Sequence, residues 1–493
     1  MKTHGLRRIA SLVLTVILSL SLAVPASAAF SDVPSTHWAA KEITRCAELG
    51  FFQGEKADVF GLKKPMNRAA FATTLCRFFG WDTTASTATP YDDVPESKWY
   101  AGAVSAAYAN GAVTTQSSSF RPLDPITREE MAVMLIRALG YGEIAGLAQD
   151  LSHPFTDVTT NAGYITMAYD LGLITGTTAT TFSPDTAATR EQTAVILMRL
   201  YDKLHAAAPA AMVIADDETT SLEGYDTVAI PAGQLAAAGK RVVYSSVMKA
   251  DKVKAIADAA KGTVLLHVTV KASSFAKMDA AEAAERLSKE VSAGGYDGLL
   301  LDIPGLGADQ RSKLTTLARS VNSLLGSKAF YLVSEAPTRS GKPHDGYDHA
   351  ALAAHADSLV LRTGAPVNTD AAIPTAPIDP VEEIYYALSS LKDIENLTLL
   401  VTSQPSVWRQ KRQADPLTLQ QLEQALAEGA RRYYSDRFQC AYLRTENGLT
   451  VWYPEEEGAA ARLQLMRLMG IEQLCLSSAS DVSEGVCSAL EIR

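Results

Sequence analysis

The sequence predicts a multidomain chain: an all-α repeat array followed by an α/β barrel of the TIM type, (β/α)8. Three observations carry that expectation. A Phe/Tyr-x-Asp-Val stretch occurs three times, as Phe30-Ser31-Asp32-Val33, Tyr91-Asp92-Asp93-Val94 and Phe155-Thr156-Asp157-Val158. Each copy leads to two helical patterns, the second opening on an Arg. Asp32 precedes Arg68 by 36 residues, Asp93 precedes Arg128 by 35, and Asp157 precedes Arg190 by 33. A period of about 60 residues with constant internal order marks a repeat array. From residue 212 onward, short apolar runs alternate with helical patterns, which implies a parallel sheet, and 493 residues exceed what one core holds.

Composition narrows the function. Hydrophobic residues make up 47% and the net charge is −10, which argues against a nucleic-acid partner and gives no basic membrane footprint. Five Cys do not make a disulfide scaffold in a chain this long. Arg7 and Arg8 precede an apolar run from Ile9 to Val24, and Ala26-Ser27-Ala28 supplies small residues at a cleavage site. Residues 1–28 therefore read as a secretory signal peptide. No later segment has about 18 unbroken apolar residues, so no membrane span is expected after cleavage.

The repeats are assigned to 29–88, 89–150 and 151–207. Their first helices run from Trp38 to Leu49, Trp99 to Asn110 and Tyr164 to Leu171, stopping at Gly50, Gly111 and Gly172. The second helices open on Asn67-Arg68, Thr127-Arg128 and Thr189-Arg190, and Thr127 with Glu130 and Thr189 with Gln192 form capping boxes. An Arg at the first helical position opposes the helix dipole. Keeping it three times leaves two readings open: the Arg meets an anion beside free backbone N–H groups, or it pairs with a local carboxylate such as Asp32, Asp93 or Asp157. Cys46 and Cys76 sit on the two helices of the first repeat, either as a disulfide or as buried thiols.

These residues resemble the S-layer homology (SLH) domain over about residues 29 to 204. The resemblance implies one pseudo-threefold unit that binds secondary cell-wall polysaccharide, often pyruvylated, in grooves between repeats. It carries Arg68, Arg128, Arg190, Trp38 and Trp99 over as glycan-binding candidates, with Asp32, Asp93 and Asp157 beside them. Core packing stays open for the two Trp. The third copy has Tyr164 near the expected Trp and the first reads Asn-Arg-Ala-Ala, so one groove is expected to be weak. A pyruvyl carboxylate agrees with the anion reading of the Arg. The implied location is the cell wall or S-layer of a Gram-positive-type bacterium.

After a linker at 204–211, strands are predicted at Met212–Ala215, Thr227–Ile230, Arg241–Tyr244, Thr263–Val270, Gly298–Ile303, Phe330–Val333, Ser358–Leu361, Leu397–Thr402 and Gln473–Leu476. Helices are predicted at Ala280–Ala293, Ala308–Leu325, Pro380–Leu391 and Thr418–Ala430. Eight or so units over 212–493 suit a (β/α)8 barrel, with a doubly wound open sheet as the alternative. Tyr296-Asp297-Gly298-Leu299-Leu300-Leu301-Asp302-Ile303-Pro304 resembles the fourth strand of family 18 glycoside hydrolases, where Asp-Gly-x-Asp-x-Asp-x-Glu is usual. Tyr347–Leu361, Pro377-Ile378, Val407-Trp408 and Leu449–Tyr453 agree in order. The departures decide the expectation. The family's catalytic acid falls on Pro304, its Asp positions fall on Leu300 and Asp302, and its strand-six Tyr falls on Gly364. Its site-floor Trp is replaced within Leu476-Ser477-Ser478. A proton donor is indispensable to that chemistry, so the barrel reads as a pseudoenzyme that binds glycan or serves as structure. The alternative is an active glycosidase on peptidoglycan or chitin, with Asp302 and Glu335 converging as a displaced pair. Against that pair stands the reading that backbone N–H groups hold Asp302 and that Glu335 is a solvated loop residue. His267, His344 and His349 lack metal-ligand spacing, and no cofactor motif is present.

Overall fold

The computed structural model describes residues 30–115, 117–239, 241–339, 345–364, 377–410, 412–446 and 448–492. Residues 1–29, His344 and residues 365–376 lie outside these, so the signal-peptide expectation falls outside the described residues. The chain divides into two compact units, Met1–Ala206 and Ala207–Arg493.

In the first unit each repeat places two helices. The first helices span Ala40–Glu48, Ala101–Ala109 and Ala162–Asp170, and the second span Arg68–Phe79, Arg128–Ala138 and Arg190–Leu204. Gly50, Gly111 and Gly172 follow the first helices at φ 75°, 75° and 66°, the left-handed turn that only a residue without Cβ takes freely. Both capping boxes form, and Asn67 accepts from the Ala70 N–H.

The repeats close on one another through backbone. Met66 N–H donates to Ala188 O (2.8 Å), Ala188 N–H to Ile126 O (2.9 Å) and Ile126 N–H to Met66 O (2.8 Å). Isolated bridges at Pro65–Thr189, Asn67–Pro125 and Thr127–Ala187 flank this ring, a β element that the all-α expectation does not contain. Cys46 and Cys76 are free: their thiols meet Ala194 O and Ala103 O, on different neighbouring helices. The disulfide reading is therefore replaced by buried thiols, and burial pushes both thiols up to about 12.

The second unit is a closed barrel. Its strands, numbered here as barrel strands only, are β1 (Ala210–Ile214), β2 (Thr227–Ala238), β3 (Thr263–Val270), β4 (Gly298–Asp302), β5 (Ala329–Glu335), β6 (Ser358–Arg362), β7 (Leu397–Val401) and β8 (Gln473–Leu476). Each pairs in parallel with the next, and β1 pairs with both β8 and β2, which excludes the open sheet. Met212, Ala229, Leu265, Leu300, Val333, Val360, Leu400 and Cys475 form one buried cluster with a member from each of the eight strands, the packed interior a barrel of this size requires.

Two sequence expectations change here. Arg241–Ser246 is a strand but not a barrel stave; it folds back antiparallel on the second half of β2. Leu449–Tyr453 belongs to a separate five-stranded antiparallel sheet inserted between β7 and β8. That sheet contains Ser406–Arg409, Arg412–Gln413, Arg431–Ser435, Cys440–Arg444 and Leu449–Tyr453.

Candidate functional site

Side chains alternate along a strand, so the inward layer at Leu265, Leu300, Val333 and Val360 fixes what stands above it: His267, Asp302, Glu335 and Arg362. This is the C-terminal mouth, where barrel enzymes place their chemistry. Asp302 and Glu335 do converge there, exposed by only 6% and 8%. What joins them is Arg362: its Nη2 lies 2.5 Å from Asp302 Oδ2, and its Nη1 lies 3.2 Å from Asp302 Oδ1 and 3.0 Å from Glu335 Oε1. The backbone-held Asp302 and solvated Glu335 of the sequence reading are both corrected. A strand carries Glu335 inward, and a guanidinium that no motif flagged holds both acids. Burial opposes the Arg362 charge, but Asp302 and then Glu335 outweigh it and raise its pKa. Both carboxylates act as acceptors, the opposite of what a proton donor to a glycosidic oxygen must do.

Pro304 is exposed beyond β4 and has no titratable group. Burial pushes His267 down to about 4, and among the described residues neither of its ring nitrogens has a hydrogen-bond partner. His349 Nε2 meets Glu335 O at 3.0 Å. Two further carboxyls lie on this face. Asp379 is raised by burial while accepting from Thr402 N–H (2.6 Å), Thr402 Oγ1 and Thr363 Oγ1. Glu383, also raised by burial, accepts from Arg339 N–H at 3.1 Å. No group of three or more His, Cys, Asp or Glu among the described residues could hold a metal ion.

In the repeat array the three Asp and three Arg act as a relay. Asp32 accepts from the N–H groups of Phe60, Gly61 and Leu62 at 2.7–2.9 Å. Asp93 accepts from Phe120 and Arg121 N–H and Ser119 Oγ, each at 2.7 Å. Asp157 accepts from Phe182 and Ser183 N–H. Each Asp thus holds the Phe loop of its own repeat. The Arg of the preceding repeat then reads the Phe carbonyl: Arg68 Nε to Phe120 O (2.7 Å), Arg128 Nε to Phe182 O (2.8 Å) and Arg190 Nε to Phe60 O (2.8 Å). The guanidinium carbons lie over the same rings at 4.9, 4.7 and 5.0 Å. Arg128 and Arg190 add a second carbonyl each, Thr175 O and Gln53 O, while Arg68 pairs with Glu130 at 2.9 Å. The geometry gives the three Arg work between repeats and the three Asp work within them. The local Asp partners that the sequence suggested for the Arg act on the same loops from the other side.

The tryptophans stand apart from this relay. Trp38 and Trp99 are 61% and 64% exposed, which removes the core-packing reading. Trp99 edges a cleft of about 350 Å³ lined by Thr73, Arg77, Thr83, Thr87 and Lys98. An exposed indole, two cations and three hydroxyls suit a sugar that bears a carboxylate. Six residues after each motif Asp come Trp38, Trp99 and Gly163, so the third copy has Gly where Tyr164 had seemed the counterpart. A Cβ on Gly163 would lie 1.8 Å from Ala145 O, in the helix Gly142–Leu147 packed against it. Arg137, nine residues after Arg128 as Arg77 is after Arg68, is engaged there: its Nε donates to Tyr164 Oη at 3.1 Å, with the guanidinium over that ring. Sequence reading missed Arg77 and Lys98. The signal was the recurrence of Arg77, Arg137 and Arg199 at one helical position.

Residues 29–72, 90–132 and 154–194 match the S-layer homology domain. The chain carries three SLH domains. They make it a cell-surface protein, with the barrel following the SLH array. Similar proteins include an endoglucanase of Bacillus sp. (strain KSM-635), 30% identical over 220 residues, covering 41% of this chain and 23% of the relative. A cell surface protein of Thermoanaerobacter kivui is 27% identical over 166 residues (33% and 20%), and an S-layer protein of Bacillus thuringiensis subsp. finitimus is 25% identical over 204 residues (40% and 25%). The chain therefore spans a quarter or less of these relatives' length. Similar solved structures include a chitinase from Chromobacterium violaceum, with 15% identity, TM-score 0.47, and coverage of 58% of this chain and 98% of that one. The spore cortex-lytic enzyme SleL of Bacillus cereus has 14% identity, TM-score 0.47, and coverage of 57% and 74%. Among the described residues no helix is long and apolar enough to cross a membrane.

Two outcomes follow for the SLH array. Arg128→Ala leaves the Phe182 and Thr175 carbonyls without their donor and is expected to cost about 3 kcal/mol, read as a lower array transition in calorimetry of the full chain. The array is also expected to be acid-labile. Burial pushes Asp32 and Asp93 up, but the loop donors win and hold both below 3.8, and the Phe182 N–H leads in lowering Asp157. A folded pKa below the unfolded one contributes stability that is present above the unfolded value and lost as pH falls through the folded value. Melting temperatures are therefore expected to fall below about pH 4, and Asp93→Asn is expected to flatten that dependence.

Proposed function

We propose that the protein is tethered to the bacterial wall by its SLH array, through secondary cell-wall polysaccharide bearing carboxylates such as pyruvyl groups, and that its barrel is a non-catalytic glycoside hydrolase 18-like module. The cleft at Trp99, flanked by Arg77 and Lys98, supports the tether. Trp38, the other exposed indole, stands at the equivalent position of the first repeat and is assigned the same role. Gly163 and the engaged Arg137 make the third groove the weak one. The buried Arg128 and Arg190 and the half-buried Arg68 hold that frame and contribute to binding through it, as do Asp32, Asp93 and Asp157.

For the barrel, the observation that carries the reading is Arg362 clamping Asp302 and Glu335 beneath an acid position filled by Pro304. A competing reading is a wall glycosidase, acting on peptidoglycan or chitin, with a displaced acid. It draws on the convergence of Asp302 with Glu335, or on Glu383, whose burial favours a retained proton. Sedimentation of the full chain with purified walls, with and without release of the pyruvyl groups, tests the tether. Co-sedimentation that survives loss of those groups unchanged would contradict the carboxylate assignment.

A further inference from the structure

We infer that the first SLH repeat carries a second sugar subsite, a groove adjoining Trp38 that takes a further, carboxylate-bearing residue of the wall polysaccharide. The inference rests on the tether reading above and extends its site. The first helices of the three repeats begin at Ala40, Ala101 and Ala162, which sets their faces in register. Helical positions one, two, five and six share a face. They hold Ala40, Lys41, Thr44 and Arg45 in the first repeat, Ala101, Gly102, Ser105 and Ala106 in the second, and Ala162, Gly163, Thr166 and Met167 in the third. In the second repeat all four are buried under the chain that precedes the motif. A Cβ on Gly102 would lie 2.0 Å from Thr83 O, and Ser105 Oγ donates to Ala88 O at 2.9 Å. In the third repeat Gly142–Leu147 takes that place, with Ala145 O against Gly163. Only a residue without Cβ allows backbone so close. The first repeat has Lys41 at that position, so no segment covers its helix in the same way. Lys41 is exposed, and Ala40, Thr44 and Arg45 are half-buried.

These residues border a groove of about 430 Å³, with Phe30 and Ile43 among its apolar lining and Ser35, Lys41, Thr44 and Arg45 among its polar lining. Lys41 follows Trp38 by three residues, about one helical turn, so the indole and the groove adjoin. Apolar walls with a few placed polar groups are what a small-molecule site needs. A sugar ring meets them with its C–H face on Phe30 and Ile43 and its hydroxyls toward Ser35 and Thr44. Thr44 Oγ1 donates to Ala40 O at 3.0 Å, which keeps its lone pairs for a sugar hydroxyl. Arg45 is held by Asp202 through two bonds of 2.9 and 2.6 Å. Within the groove lining, Lys41 therefore supplies the charge that a sugar carboxylate meets. The first repeat holds a longer stretch of polymer than the second, whose corresponding face is covered.

The test uses the full chain and oligosaccharides released from purified walls, fractionated into single sugars and longer fragments, with calorimetric titration as the readout. Trp99→Ala leaves the first repeat to report, and Trp38→Ala leaves the second. With Trp99→Ala, the longer fragments are expected to bind about tenfold or more tightly than single sugars. With Trp38→Ala, the gain is expected to stay below about threefold. Adding Lys41→Glu to Trp99→Ala is expected to remove most of the gain, and Lys41→Arg to keep it. Thr44→Leu, which narrows the groove and removes its hydroxyl, is expected to remove it as well. No gain with Trp99→Ala, an equal gain in both backgrounds, or a gain that survives both Lys41→Glu and Thr44→Leu would overturn the proposal. Failure of the tether reading shows separately, as fragments of every length failing to bind the unsubstituted chain, and that result would overturn both.

Discussion

Replacing Trp38 and Trp99 together with Ala is expected to reduce wall binding by about three orders of magnitude while leaving the array folded. Each indole is more than half exposed, so truncation opens no cavity and shifts stability by about 0.5 kcal/mol or less. A central aromatic in a polysaccharide cleft contributes at the level of an interface hot spot, about 2 kcal/mol. Two such losses in one tethered molecule correspond to about a thousandfold in affinity. Sedimentation with purified walls measures the loss, and circular dichroism confirms the fold. Tyr164→Ala, by contrast, is expected to change wall affinity little, because Gly142–Leu147 already fills the third groove.

Arg362→Leu is expected to be the most destabilising single change in the barrel, by about 3–5 kcal/mol at neutral pH. It leaves Asp302 and Glu335 buried without a counter-charge. The pH dependence identifies the cause. Unpaired buried carboxyls have pKa values raised above those of the unfolded chain, so the variant recovers stability as pH falls and loses it as pH rises through the raised values. Chemical denaturation of the variant between pH 4.5 and 8 measures this. A penalty independent of pH would mean that Arg362 acts through packing alone. A triple change, Arg362→Leu with Asp302→Leu and Glu335→Leu, is expected to recover much of the loss.

The repeat period, the three helix pairs, the capping boxes and most barrel strands are legible in the sequence because each is a local pattern. Gly298–Asp302 and Thr263–Val270 announce themselves as apolar runs, and Pro304 is a visible break in a motif. The roles of the motif residues are less legible. Arg128 works on Phe182, 54 residues away, and Arg190 works on Phe60, 130 residues away. Partners passed around a closed ring leave no spacing signal in any one repeat. Trp38 and Trp99 read equally well as core or surface, because they sit just ahead of a helix whose facing neighbour is another repeat. Arg362 was missed because a charged residue at the end of an apolar strand looks like its solvated limit. Only the parallel register, Glu335 opposite Arg362 and Asp302 one strand further, brings the three together. The inserted sheet escaped because its strands alternate and pair antiparallel inside a region whose period is set by βα units.

The claim that this is a wall-held protein with a barrel that performs no hydrolysis is tested most directly by incubating the full chain with purified peptidoglycan and with chitin oligomers and measuring reducing-end release. The expected result is binding to walls with no release above buffer, unchanged in Glu335→Gln and Glu383→Gln. Release that disappears in either variant would contradict it.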